Sequence, residues 1–272
     1  MTAPSPSVLT RLAQARPWAL RHLLLSLLVA ALTALLVFAV WFPSPYRDIS
    51  GGLTLFVIML SVDVVCGPLL TLVLLHPSKS RRALAVDMVL IACVQLAALA
   101  YGLHTLSQAR PLAVVFEVDR FRVVAFADIL EADLAAAPEW VRPWGFAPPQ
   151  VLGTRMARSG IEKLDSVDAS LQGVEPGQRP SWWQDYALSA ASAKERSLPL
   201  DALQKLNPGR IHHIQIAAAE AARAPQTGET GSPNAMRWLP LTSRQAMDWV
   251  VLLDPSTARI RGFVQADGFG SQ

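Results

Sequence analysis

The sequence has 272 residues, of which 52% are hydrophobic and 17% charged, and its formal net charge is +3. Residues 1–103 hold 7 of the 24 Lys and Arg and 3 of the 21 Asp and Glu, whereas residues 104–272 hold the other 17 and 18. A nucleic-acid-binding domain needs a basic surface. The C-terminal part is nearly neutral, which excludes nucleic acid as a partner.

Three long apolar runs occupy the first 103 residues. They cover residues 23–42, 53–75 and 83–103, and each matches the roughly 30 Å thickness of a bilayer core at about 1.5 Å per helical residue. The first run ends at Trp41 and Phe42, where cleavage of a signal peptide would require small side chains. We therefore predict three transmembrane helices in a lipid bilayer, the first of them an uncleaved anchor.

The basic residues that flank these runs predict the orientation of the chain. Six lie in the N-terminal tail, residues 1–22, or in the second connection, and only two lie in the first connection or just after the third run. The first group is Arg11, Arg16, Arg21, Lys79, Arg81 and Arg82, and the second is Arg47 and Arg110. This asymmetry predicts a cytoplasmic tail and places residues 104–272 outside the cytoplasm.

Polar residues inside the predicted spans are the first candidate site. Asp63 lies at the centre of the second run, where an Asp costs about 2.5–3.5 kcal/mol, so we expect it to face other helices. A Thr33–Asp63–Gln95 cluster that holds the bundle is one interpretation. Contact with a membrane-embedded partner is another, and a proton relay or catalytic acid is a third. The remaining candidates in this region are Gly67, Pro68, Thr71 and Asp87.

The C-terminal part has the pattern of one α+β domain. β-rich runs at 112–118 and 121–126 predict a hairpin around Asp119 and Arg120, and further strands are predicted at 236–241, 249–254 and 259–265. Helices are predicted at 128–137, 161–171, 182–193, 200–206 and 211–222. Strands at both ends with helices between them predict a fold in which the terminal strands share a sheet.

Two exposed features of this domain are candidate contacts. The proline-rich loop at 138–150 carries Trp140, Trp144 and Phe146, which either pack on the domain or form a recognition surface. Asp119 and Arg120 either form a solvated turn or pair with each other or with the domain body. The chain lacks a nucleophile elbow, a phosphate-binding loop and a zinc-protease motif. We therefore expect no enzymatic activity, no metal and no cofactor.

An ordered set of residues resembles a known family. It comprises Val62-Asp63-Val64-Val65-Cys66-Gly67-Pro68-Leu69-Leu70-Thr71, then Pro77, Lys79, Asp87, Gln95, Tyr101-Gly102 and Arg110-Pro111, and lastly Phe116-Glu117-Val118-Asp119-Arg120-Phe121. Over residues 20 to about 128 the chain resembles the type IV pilin accessory proteins of the bacterial inner membrane. The later segment Trp238-Leu239-Pro240-Leu241 is a weaker match.

The resemblance implies an accessory or chaperone-like inner-membrane protein with a periplasmic domain. Such a protein would bind type IV pilin and affect pilin stability, assembly or pilus dynamics. The alternatives are an extracytoplasmic sensor and a small membrane enzyme or transporter that uses Asp63. A sensor is disfavoured because the predicted cytoplasmic parts are too small for an output domain.

Overall fold

A computed structural model describes residues 8–74, 80–129, 131–140 and 148–270, which fall into two compact units. One unit comprises Met1–Pro43 and Gly52–Gln108, and the other comprises Ser44–Gly51 and Ala109–Gln272. The helices are α1 Val8–Leu36, α2 Tyr46–Ile49, α3 Gly52–Ser61, α4 Gly67–Leu74, α5 Arg81–Ala109, α6 Glu131–Leu134, α7 Gly160–Leu171, α8 Ala190–Arg196, α9 Leu200–Leu206 and α10 Ile211–Ala221. The strands are β1 Pro111–Glu117, β2 Arg120–Ala125, β3 Gln150–Thr154, β4 Trp183–Asp185, β5 Leu198–Pro199, β6 Arg237–Thr242, β7 Trp249–Leu253 and β8 Ile260–Gln265.

Three helical stretches of the first unit have the length and hydropathy of membrane spans. They are Arg16–Trp41, Gly52–Leu74 and Arg82–Ala109, of 26, 23 and 28 residues. Many of their large apolar side chains point outward, among them Leu32, Val73 and Leu96. Outward apolar faces suit a lipid environment, because a soluble bundle would bury them. The first and third helical stretches begin before the predicted runs, because the helices continue into polar turns at their ends.

The second unit is built on one mixed sheet. Among the described residues its strand order is β4-β3-β1-β2-β6-β7-β8, with β5 paired to β6. β1 and β2 form the predicted antiparallel hairpin, and β2 runs parallel to β6. The prediction that strands from the two ends of the domain share a sheet is therefore confirmed, and the three apolar helices followed by this domain confirm the predicted fold class.

Side chains alternate across the sheet and form two cores. In β6, Trp238 packs against α9 and α10, whereas Leu239 and Leu241 point to the opposite face. That opposite face buries Phe121 together with Ile49, which belongs to the connection between the first two membrane helices. The period-two alternation of the strands thus generates both hydrophobic layers.

The connection Ser44–Gly51 is an integral part of the second unit. Ile49 is completely buried, and its carbonyl oxygen accepts a 2.6 Å hydrogen bond from Ser243 Oγ. The Tyr46 ring lies edge-on to Phe263 with centroids 5.7 Å apart, and burial raises the pKa of Tyr46 to about 12. The sequence indicated only a short link here, so this packing is a structural finding.

Two sequence-based helix predictions were partly wrong. The segment predicted as a helix at 182–193 contains β4 and a 3₁₀ turn, Tyr186–Leu188, and only its end is α-helical, in α8. Trp183 pairs with Thr154 of β3, and its indole Nε1 donates a 2.8 Å bond to the Gly177 carbonyl. Tertiary pairing overrides local helix propensity here. The helix predicted at 128–137 is reduced to the single turn α6, and β3 was not predicted.

Candidate functional site

A π-helical segment, Val62–Cys66, joins α3 to α4 and carries Asp63. In a π-helical turn the carbonyl of residue 63 would bond to the N–H of residue 68, but Pro68 has none. Gln95 of α5 supplies the donor instead, since its Nε2 lies 3.0 Å from the Asp63 carbonyl oxygen. The π-helical segment therefore depends on two further residues: Pro68, which lacks the usual donor, and Gln95, which replaces it.

His22 connects the three membrane helices through its two ring nitrogens. Its Nε2 lies 2.6 Å from Gln95 Oε1, and its Nδ1 lies 2.6 Å from Thr71 Oγ1. Gln95 Nε2 donates to the Asp63 carbonyl, so Gln95 Oε1 faces His22 as an acceptor and His22 donates through Nε2. The fully buried Thr71 hydroxyl also lies 3.0 Å from the Gly67 carbonyl.

Gly67 makes room for this network. A Cβ atom at position 67 would lie 2.1 Å from Gln95 Nε2, far closer than non-bonded atoms approach. The end of Gln95 could rotate away, but it would then lose its bonds to Asp63 and His22. The glycine is therefore required for the close approach of α5 to the π-helical segment.

A cavity of about 240 Å³ opens beside the network, between α1, the second span and α5. Most of its wall is apolar, and its polar lining residues are His22, Ser26, Thr33, Asp63 and Gln95. Asp63 Oδ1 is buried and has no hydrogen-bond partner among the described residues. A buried acceptor without a partner is unfavourable. The cavity therefore provides an apolar volume with one unused strong acceptor.

The predicted membrane candidates are only partly brought together. Thr33, Asp63 and Gln95 share the cavity as the cluster hypothesis expected, but Gln95 bonds to the backbone of Asp63, not to its carboxylate. Asp87 lies more than two turns before Gln95 on α5 and does not line the cavity. Sequence reasoning missed His22, because it assigned residue 22 to the tail before the first apolar run, whereas the first helical stretch begins at Arg16.

In the C-terminal domain, Asp119 and Arg120 lie at the β1–β2 turn, and Trp140 follows α6 in the chain. Arg120 Nε donates a 2.9 Å bond to Asp119 Oδ1 at the β1–β2 turn, and its guanidinium lies 5.5 Å from the centre of the Phe269 ring, so the structure shows the paired alternative and not the purely solvated turn. Trp140 is 46% exposed, as a recognition residue would be. Trp144 and Phe146 lie outside the described residues.

Comparison with known proteins decides the family. A family model described as fimbrial assembly protein FimB matches residues 10–51. A fimbrial assembly protein of serogroup I from Dichelobacter nodosus is 36% identical over 91% of this chain and 93% of its own length. The chain belongs to the fimbrial assembly protein family. The resemblance to pilin accessory proteins is thereby confirmed.

Two further fimbrial assembly proteins of Dichelobacter nodosus support this membership. The serogroup E1 protein is 34% identical over 91% of this chain and 93% of its own length. A protein of serogroups C1 and C2 is 47% identical over 43% of this chain and 88% of its own length. No solved structure matches the chain.

Proposed function

We propose that this fimbrial assembly protein is a non-enzymatic accessory protein of the bacterial inner membrane that binds type IV pilin and promotes its assembly. Its family and its three apolar helices support a membrane role in pilus assembly. Its domain would face the periplasm, where an assembling pilin exposes its globular part.

The unpartnered carboxylate oxygen of Asp63 is the observation that carries this proposal. A client inserted as a single apolar helix could place an apolar side chain in the cavity and a hydrogen-bond donor on Asp63 Oδ1. The cavity exceeds the ~150 Å³ that accommodates a benzene-sized group. Binding would satisfy the unpaired acceptor, whose burial without a partner costs about 1–3 kcal/mol.

The surroundings of the π-helical segment Val62–Cys66 support binding over catalysis. The segment places Asp63 beside Gln95 and His22, whose hydrogen-bonding atoms are already used within the protein. Asp87 does not line the cavity, so the arrangement offers no continuous line of acids for proton transfer. In the domain, Trp140 is the candidate contact for the client's extracytoplasmic part.

The test is co-purification with the major pilin of the same organism from mildly solubilised membranes. We expect Asp63→Ala to reduce pilin capture at least roughly tenfold, the loss that corresponds to about 1.4 kcal/mol. Ser61→Ala is the matched control, because Ser61 lies two residues earlier in the same span and is exposed. Undiminished capture by Asp63→Ala, at equal membrane levels of both variants, would refute the proposal.

A further inference from the structure

Helix α7 packs on the C-terminal domain through its polar side. Ser159 caps the helix by accepting a 3.1 Å bond from the Glu162 amide, and Ser166 is buried on the same side. The Glu162 carboxylate accepts two bonds from the Arg155 guanidinium, which lower the pKa of Glu162 to about 2. Arg155 in turn stacks 4.8 Å from the centre of the Trp182 ring. These contacts fix which side of α7 faces the domain.

The rest of the α7 surface carries an exposed apolar stripe, of which Val167 and Leu171 also line a groove between α7 and α8. Its side chains recur every three or four residues and therefore form a single stripe along the helix. The stripe consists of Ile161, Leu164, Val167 and Leu171, with exposures of 74, 70, 54 and 82%. An amphipathic helix normally buries its apolar side, and a contiguous exposed patch of this kind marks an interaction surface.

The charges on α7 argue against a lipid surface as the partner of this stripe. Helices that lie on membranes are rich in Lys and Arg. Helix α7 has one basic residue, Lys163, and three acidic residues, Glu162, Asp165 and Asp168, so the helix is acidic. An acidic helix is repelled by anionic headgroups, which leaves a protein surface as the occupant.

The flanking charges are complementary to those of an identical helix. When Leu164, Val167 and Leu171 are assigned to the core positions of a heptad, Lys163 and Asp168 occupy the two flanking positions. In a parallel helix pair, the flanking residue just before the first core position of a heptad faces the flanking residue five positions later on the other helix. Lys163 would then face Asp168 of the second copy, twice by symmetry. An antiparallel pair would instead place Asp168 beside Ile161.

We propose that two copies of this chain associate through the exposed stripe of α7, with the two helices parallel. The contact is short, since α7 has 12 residues, and it buries less than the roughly 1,200–2,000 Å² of stable soluble complexes. Anchoring both copies in one bilayer raises their effective concentration. The dimer should therefore form in membranes and weaken on dilution in detergent. It does not depend on the proposed binding of pilin.

Cysteine cross-linking of the full-length protein in membranes tests the contact. Cys66 and Cys93 are exposed free thiols and are first replaced by Ala. We expect Leu164→Cys to form a disulfide-linked dimer under mild copper-phenanthroline oxidation. Ile216→Cys is the matched control, because Ile216 is an apolar residue of α10 with 45% exposure. Cross-linking at position 164 no greater than at position 216 would overturn the proposal.

Charge exchange tests the parallel arrangement in the same cysteine background. We expect Asp168→Lys to reduce the Leu164→Cys dimer by roughly three- to tenfold, because two attractive pairs become repulsive. Adding Lys163→Asp should restore the dimer, which a folding defect would not allow. Unchanged cross-linking in Asp168→Lys would exclude this pairing. Efficient cross-linking between Ile161→Cys and Leu171→Cys copies would show an antiparallel contact instead.

Discussion

At the scale of single residues, two polar side chains at the same site differ in how their hydrogen-bonding atoms are used. Gln95 uses both of its polar atoms within the protein, on the Asp63 carbonyl and on His22. The Asp63 carboxylate instead leaves Oδ1 unpaired and buried at the cavity. A side chain with all its bonds satisfied stabilises the bundle, whereas one with an unused bond can recruit a ligand. We therefore expect Gln95 to stabilise the bundle, and Asp63 is the residue through which we propose recognition.

Replacing Gln95 tests that division of roles. Gln95→Leu keeps the approximate size of the side chain but removes the donor to Asp63 and the acceptor for His22. Interhelical hydrogen bonds in membranes contribute about 0.6–2 kcal/mol each, so we expect a lower unfolding midpoint of the detergent-solubilised protein. Val94→Leu is the control, because Val94 is an exposed neighbour on α5. Equal midpoints for the two variants would show that the network does not stabilise the bundle.

At the scale of elements, run length and periodicity predicted the long helices and the main strands. The three apolar runs correspond to the three membrane-spanning helical stretches, and the β-rich runs correspond to β1, β2, β6, β7 and β8. The π-helical segment could not be predicted, because its carbonyl at Asp63 is satisfied by Gln95, 32 residues away. β4 was missed because its strand character depends on pairing with β3, a non-local contact.

The role of the connection Ser44–Gly51 also lies at this scale. Ile49 is fully buried in the domain core. It lies 60 residues before the end of α5, after which the rest of the domain begins. Ile49→Ala should destabilise the domain by about 2–5 kcal/mol, the usual cost of a large-to-small change in a core. Limited proteolysis of the full-length protein would then cleave the domain faster. Arg47→Ala, at an exposed position of the same turn, should leave its protease resistance unchanged, and equal rates for both variants would contradict this packing.

At the scale of the whole molecule, the core shared by the first connection and the C-terminal domain supports a total of three membrane crossings, two of them between these two segments. Ser44–Gly51 and Ala109–Gln272 belong to one unit, so the first connection and the domain would lie on the same side of a bilayer that the helices cross. Three spans satisfy this condition, because the chain crosses twice between the two segments. The packing does not distinguish the two sides, and the choice of the periplasm rests on the flanking Lys and Arg.

The final prediction tests that choice. A phosphatase reporter that is active only outside the cytoplasm, fused after residue 272, should be active in the unmodified chain. Replacing Lys79, Arg81 and Arg82 by Gln leaves three basic flanking residues on the predicted cytoplasmic side and two on the other side. This change should lower the reporter activity, because some chains then insert in the inverted orientation. Replacing Arg158, Arg196 and Lys205 by Gln removes the same charge far from the spans and should not lower it. An inactive reporter on the unmodified chain would place the domain in the cytoplasm, where it could not contact the exported part of a pilin.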